Sequence, residues 1–85
     1  MKYEVKLKSS IKKQLKRIDK KEVERILVRI YLLANNPYPK GVEHLTDLKA
    51  YRIRVGDYRV IYEIRNKELL VQAIRVGHRK DVYKN

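Results

Sequence analysis

From Tyr51 to Ile64 the chain carries apolar or aromatic residues on alternate positions: Tyr51, Ile53 and Val55, then Val60, Tyr62 and Ile64. A period of two, filled by β-branched and aromatic side chains, predicts two strands that each bury one face. Between them Gly56-Asp57 is the Gly-X pair that suits a two-residue type II′ hairpin turn. With Val55 and Tyr58 flanking the turn, counting outward sets Ile53 opposite Val60 and Tyr51 opposite Tyr62 on the core side. The other side then sets Arg54 opposite Arg59, with Arg52 diagonally beside them.

The remaining pattern supplies what packs on this hairpin. Tyr3, Val5 and Leu7 alternate and predict a first strand. Ser9 or Ser10 offers an N-cap for a helix to about Ile18, with Ile11, Leu15 and Ile18 on one face. Asp19 followed by Glu22 resembles a capping box for a second helix. Its stripe is Val23, Ile26, Leu27, Ile30, Leu33 and Ala34, and the prolines of Asn35-Asn36-Pro37-Tyr38-Pro39 end it. Residues 40–50 read as a connecting loop pinned by Leu45 and Leu48. After the hairpin, Asn66-Lys67 predicts another tight turn into a strand from Leu69 to Val76. Counting across that turn sets Leu69, Val71 and Ala73 opposite Ile64, Tyr62 and Val60, and Arg59 opposite Ile74. Gly77 is expected to break this strand.

The order βααβββ implies an α+β fold: an antiparallel sheet packed on one face by an N-terminal helical hairpin. The first strand pairs with the last strand or with the first hairpin strand. The 85 residues suffice for a single domain, 1–85, with one modest core. No cysteine is present, which excludes disulfides and thiolate metal sites and suits a reducing compartment. No apolar run is long enough to span a bilayer and no signal-peptide core is visible, so a cytoplasmic protein with no membrane partner is expected.

Charge changes the picture more than length does. The 22 Lys+Arg against 10 Asp+Glu leave a formal charge of +12. Such an excess repels itself in the compact state and points to an anionic partner, with nucleic acid first among the choices. Lys12, Lys13, Lys16 and Arg17 on the first helix are candidate RNA contacts, although each also fits plain solvated surface. Arg52, Arg54 and Arg59 are more specific. Like charges placed opposite one another on a sheet destabilise it, whereas arginine forks match phosphate oxygens two at a time. An arginine cluster of this kind could stabilise the phosphorane formed when a ribose 2′-OH attacks the adjacent phosphate. Proton transfer needs a further group, and Tyr83 and His78 are the candidates. Two histidines with no paired spacing give no metal motif.

The stretch Tyr51-Arg-Ile-Arg-Val-Gly-Asp-Tyr-Arg-Val-Ile-Tyr62, with Val76-Gly-His-Arg-Lys-Asp-Val-Tyr83, resembles the RelE/ParE toxin superfamily. The element order and the proline break after the second helix agree, so the resemblance covers essentially the whole chain. It implies a RelE-type toxin of a type II toxin–antitoxin system, a ribosome-dependent endoribonuclease that cuts mRNA in the ribosomal A site and inhibits translation. It also implies cleavage by metal-independent 2′-OH attack, no cofactor, and a cognate RelB-type antitoxin that covers the basic site. By position, Arg52 and Arg54 fall where RelE enzymes commonly carry lysines. Arg59, Arg79 and Tyr83 match an arginine and then the arginine and tyrosine of the C-terminal segment. Arginine at positions 52 and 54 keeps phosphate binding but is too basic to accept a proton readily. Acid–base work then leans on Tyr83, with Arg79 supporting the leaving group, or on His78, since related toxins use a histidine near the C-terminus. Two other readings stay open: a ParE-like toxin that inhibits gyrase by binding, and a non-catalytic basic RNA-binding module.

Overall fold

A computed structural model describes residues 2–45 and 49–78. The elements are β1 (Glu4–Leu7), α1 (Ser9–Leu15), α2 (Lys20–Leu32), β2 (Glu43–Leu45), β3 (Ala50–Val55), β4 (Tyr58–Arg65), a 3₁₀ turn (Asn66–Glu68) and β5 (Leu70–His78). They form an α+β fold with one five-stranded sheet in the order β1-β5-β4-β3-β2. β1 runs parallel to β5 and the other pairs are antiparallel. The sheet is therefore mixed rather than wholly antiparallel.

The hairpin register agrees with the sequence count: Val55↔Tyr58, Arg54↔Arg59, Ile53↔Val60 and Tyr51↔Tyr62. Gly56 has φ +60 while Asp57 keeps a negative φ, the signature of a II′ turn. Ile11 from α1 and Ile26, Ile30 and Leu33 from α2 and its end are fully or almost fully buried. They pack on Ile53, Val55, Val60, Tyr62, Val71, Ala73 and Val76. Burying side chains of this size contributes about 1.5–3 kcal/mol each. The Tyr62 hydroxyl, also buried, donates to the Pro37 carbonyl at 2.8 Å, so the end of α2 is tied to the middle of the sheet.

Several local expectations are corrected. Residues 43–45 pair with Arg52, Tyr51 and Ala50 as a short edge strand, which makes the order βααββββ. Three residues are too few for a periodic signal. Val42, rather than Leu45, packs on the core from this segment, and Leu48 lies outside the described residues. α1 ends at Leu15, short of Ile18. Lys8, not a serine, holds its N-cap position, and the Ser10 hydroxyl donates to the Ile74 carbonyl at 2.8 Å. Asp19 does cap α2 in position but makes no side-chain cap bond, and Glu22 pairs with Arg25 at 3.3 Å.

The second turn is longer than two residues. Asn66–Glu68 form a 3₁₀ turn and Leu69 follows at φ 49, a left-handed conformation that costs a leucine about 1–2 kcal/mol. Its N–H donates to the Asn66 carbonyl and its own carbonyl accepts from Glu4 N–H at 2.7 Å. The longer turn moves β5 by two residues, so Val71 lies opposite Ile64 and Ala73 opposite Tyr62. A bulge at Ile74 then sets Val76 opposite Val60 and Gly77, not Ile74, opposite Arg59. Gly77 does not break the strand, which continues to His78.

Candidate phosphate-binding face

Strand alternation delivers the arginines to the sheet face away from the helices. Arg54 and Arg59 are directly opposed, and Arg52 lies opposite Ile61 two rungs along, on the same face. Their environments differ. Arg54 is exposed, the Arg52 side chain retains 15% of its surface, and Arg59 retains only 3%. Arg59 sits across from Gly77, which carries no side chain of its own. The register also sets Arg75 across from Ile61, next to the Arg54–Arg59 rung.

A carboxylate that the sequence reading overlooked belongs to this face. Glu43 pairs with Arg52 across β2 and β3, and Arg52 grips it with both ends of its fork. Nε donates to Oε1 at 3.2 Å and Nη2 to Oε2 at 3.1 Å. The hydrogen bond and charge of Arg52 hold the Glu43 carboxyl below its ordinary value of 4.5, and Arg59 and Arg54 add to the effect. Burial opposes Arg52 and outweighs either of the two more distant arginines, but the pull of Arg52 prevails. The face thus already holds an oxyanion on an arginine fork, the arrangement that a phosphate would meet. A lone glutamate in a stretch read as loop gave no signal; recognising β2 would have aligned it with Arg52.

The other candidates fall elsewhere. His78 pairs with Tyr58 and meets its ring edge-on at 5.7 Å. It lines a groove with Gln14, Arg17, Ile18 and Arg75, and alternation turns it to the opposite side of the sheet from Arg54 and Arg59. Lys12, Lys13, Lys16 and Arg17 are exposed on and just after α1, the element whose Ile11 and Leu15 pack against the core. They form a second basic surface on the helix side of the sheet. Arg79 and Tyr83 lie outside the described residues. Among the described residues no helix is long and apolar enough to cross a membrane.

Known proteins resemble this chain over almost its full length. The RelE1-named toxin of Methanocaldococcus jannaschii is 28% identical over 89 residues, spanning 100% of this chain and 99% of the relative. The toxin in the archaeal RelE–RelB complex of Pyrococcus horikoshii OT3 superposes with a TM-score of 0.82 at 30% identity, covering 93% of this chain and 97% of that one. The Mycobacterium tuberculosis RelBE2 toxin–antitoxin complex contains a chain with a TM-score of 0.83 at 20% identity, covering 92% of each chain; at that identity the likeness shows the fold. A sequence profile described as ParE toxin of type II toxin-antitoxin system, parDE, matches residues 5–83. With a RelE fold and the profile matched across nearly all of its length, the chain belongs to the ParE toxin family of type II toxin–antitoxin systems, within the RelE/ParE superfamily.

Proposed function

We propose that this toxin is a RelE-type endoribonuclease that cleaves mRNA on the ribosome by attack of a ribose 2′-OH on the adjacent phosphate. The observation that carries the reading is the face on which Arg52, Arg54 and Arg59 gather around the Glu43 carboxylate. Gyrase binding alone has no need of such an array. In the proposed reaction the arginines offset the charge that grows on the equatorial oxygens, and Arg79 joins them at the leaving 5′-oxygen. Tyr83 takes the 2′-OH proton as the P–O5′ bond breaks, leaving a 2′,3′-cyclic phosphate and a 5′-oxygen that takes its proton from water. Glu43 is the second candidate acceptor, being ionised at neutral pH and already among the arginines, although its lowered pKa makes it a weak base.

Two partners follow from this reading. The ribosomal A site presents the mRNA, and a RelB-type antitoxin covers the basic face between encounters, as RelB accompanies the toxins of the P. horikoshii and M. tuberculosis complexes. The helix-side cations Lys12, Lys13, Lys16 and Arg17 are assigned to ribosomal RNA. The second reading, gyrase inhibition, is favoured by the ParE name of the matching profile. Toeprinting of an mRNA in a translation extract tests the two together with a supercoiling assay. The proposal expects cuts within translated codons, and Arg54→Ala is expected to slow them by about 100-fold or more. Tyr83→Phe should cost about 100- to 10,000-fold in single-turnover cleavage while ribosome binding holds. Inhibited supercoiling with an intact mRNA would overturn the assignment in favour of gyrase.

A further inference from the structure

The sheet carries a second cluster, on the opposite side of the β2–β3 pair from the arginines. His44 and Tyr51 form the rung next to Glu43–Arg52, so strand alternation turns them to the other face. Their rings stack at 4.6 Å with an interplanar angle of 17°. The stack continues to Tyr62 at 6.0 Å, and the Tyr38 ring meets Tyr51 edge-on at 5.4 Å. This is an aromatic ladder across β2, β3 and β4 whose inner end is locked in the core and whose outer end, His44, is exposed.

The ladder opens into a cleft of about 710 Å³ that Lys49, Lys67, Glu63 and Asn66 also line, together with Arg65 and Glu68, which pair with each other at 3.8 Å. Asn66 is fixed there, its Oδ1 accepting from the Tyr3 hydroxyl at 2.6 Å and its Nδ2 donating to the Tyr38 hydroxyl at 3.2 Å. An exposed flat ring at the end of a stack, with Lys49 and Lys67 beside it, has the composition of sites that hold an unstacked base and its phosphate. Cross-strand stacking alone accounts for the ladder, but it requires neither the cleft nor the two lysines beside it. Glu63 weighs against an acidic peptide as the occupant, and its carboxylate can accept from the exocyclic amine of a purine.

We infer that this cleft is a nucleotide-binding subsite: a purine base stacks on His44 at the end of the ladder, with its phosphate on Lys49 and Lys67. β2 is an edge strand, so a single strand of RNA can pass around it from the arginine face to the cleft. Occupancy of the cleft does not depend on cleavage. A chain that only bound RNA would show it as well, so the inference can fail or hold independently of the reaction proposed above.

The experiment is a site-resolved NMR titration of the full chain with 5′-GMP, run beside inorganic phosphate. The inference expects saturable shifts at His44, Tyr51, Lys49 and Lys67 with the nucleotide, and no ring shifts at His44 or Tyr51 with phosphate alone. His44→Ala should weaken the nucleotide by about tenfold, the range of one lost base–aromatic stack. His44→Phe, which keeps a flat ring, should bind as the natural chain does, and Arg54→Ala should leave these shifts in place. Shifts confined to Arg52, Arg54 and Arg59 would overturn the inference. So would equal binding by His44→Ala, or a cleft that responds to an acidic peptide and not to the nucleotide.

Discussion

Replacing Glu43 with Gln keeps the side chain's length and one good acceptor while removing the negative charge on which Arg52, Arg54 and Arg59 act. In the natural chain an incoming phosphate must share or displace the carboxylate that holds the Arg52 fork. A unit charge about 4 Å away is worth about 1 kcal/mol at the dielectric of water, the suitable limit for a carboxylate this exposed. Glu43→Gln should therefore bind a short RNA about fivefold more tightly. One more phosphate is neutralised, so the log–log salt dependence should steepen by about 0.7. Fluorescence anisotropy with a 2′-O-methyl oligonucleotide, which cannot be cleaved, measures both quantities. Stability should move the other way, by less than about 1 kcal/mol for an exposed pair. Because the folded carboxyl titrates below 4.5, that loss is present above pH 4.5 and closes as pH falls through the lowered value. Weaker binding with an unchanged salt slope would refute the reasoning and make Glu43 a positioning group for Arg52. A single-turnover rate that falls while affinity rises would identify Glu43, rather than Tyr83, as the proton acceptor.

Two further outcomes concern the frame around the site. Tyr62→Phe leaves the buried Pro37 carbonyl without its 2.8 Å donor and should cost about 1–2 kcal/mol in chemical denaturation; since burial pushes the phenol of the natural chain upward, its advantage over the variant should shrink as pH rises above about 10. Gln14→Ala removes the Oε1 that accepts from the Val76 N–H at 2.7 Å and should cost a similar amount, with faster amide exchange at Val76; unchanged exchange would show that the β5 bulge is held by other contacts.

What could be read from the sequence follows from how much signal each element carries. The β3–β4 hairpin has a regular alternation on both sides of a Gly-X turn, so its register and the Arg54–Arg59 rung were legible to the residue. α2 repeats its apolar stripe over enough turns to identify Ile26, Ile30 and Leu33 as core. β2 gives no such period, and with it Glu43 stayed hidden, along with the His44–Tyr51 stack. The turn at residues 66–69 misled for a different reason. Asn-Lys fits a tight hairpin by composition, but tertiary contacts hold Leu69 in a conformation that leucine rarely adopts, and Asn66 is occupied by Tyr3 and Tyr38.

The bulge at Ile74 has the largest consequence for the site. Strict alternation from Val71 and Ala73 would carry Arg75 into the core and turn Val76 and His78 toward the arginine face. One extra residue in β5 reverses that parity. Val76 then returns to the core, 2% exposed, and His78 moves to the helix side against Tyr58. A bulge leaves backbone groups without ladder partners, and here α1 supplies them: the Ser10 hydroxyl takes the Ile74 carbonyl, and Gln14 takes the Val76 N–H. Ser10 and Gln14 stand four residues apart, the spacing that sets two side chains on one helix face. Ser10, read from the sequence as a cap, and Gln14 thus hold the bulge that turns His78 away from Arg54 and Arg59. Among the described residues the carboxylate that this geometry leaves beside Arg52 is Glu43, while His78 sits with Tyr58 on the other side of the sheet.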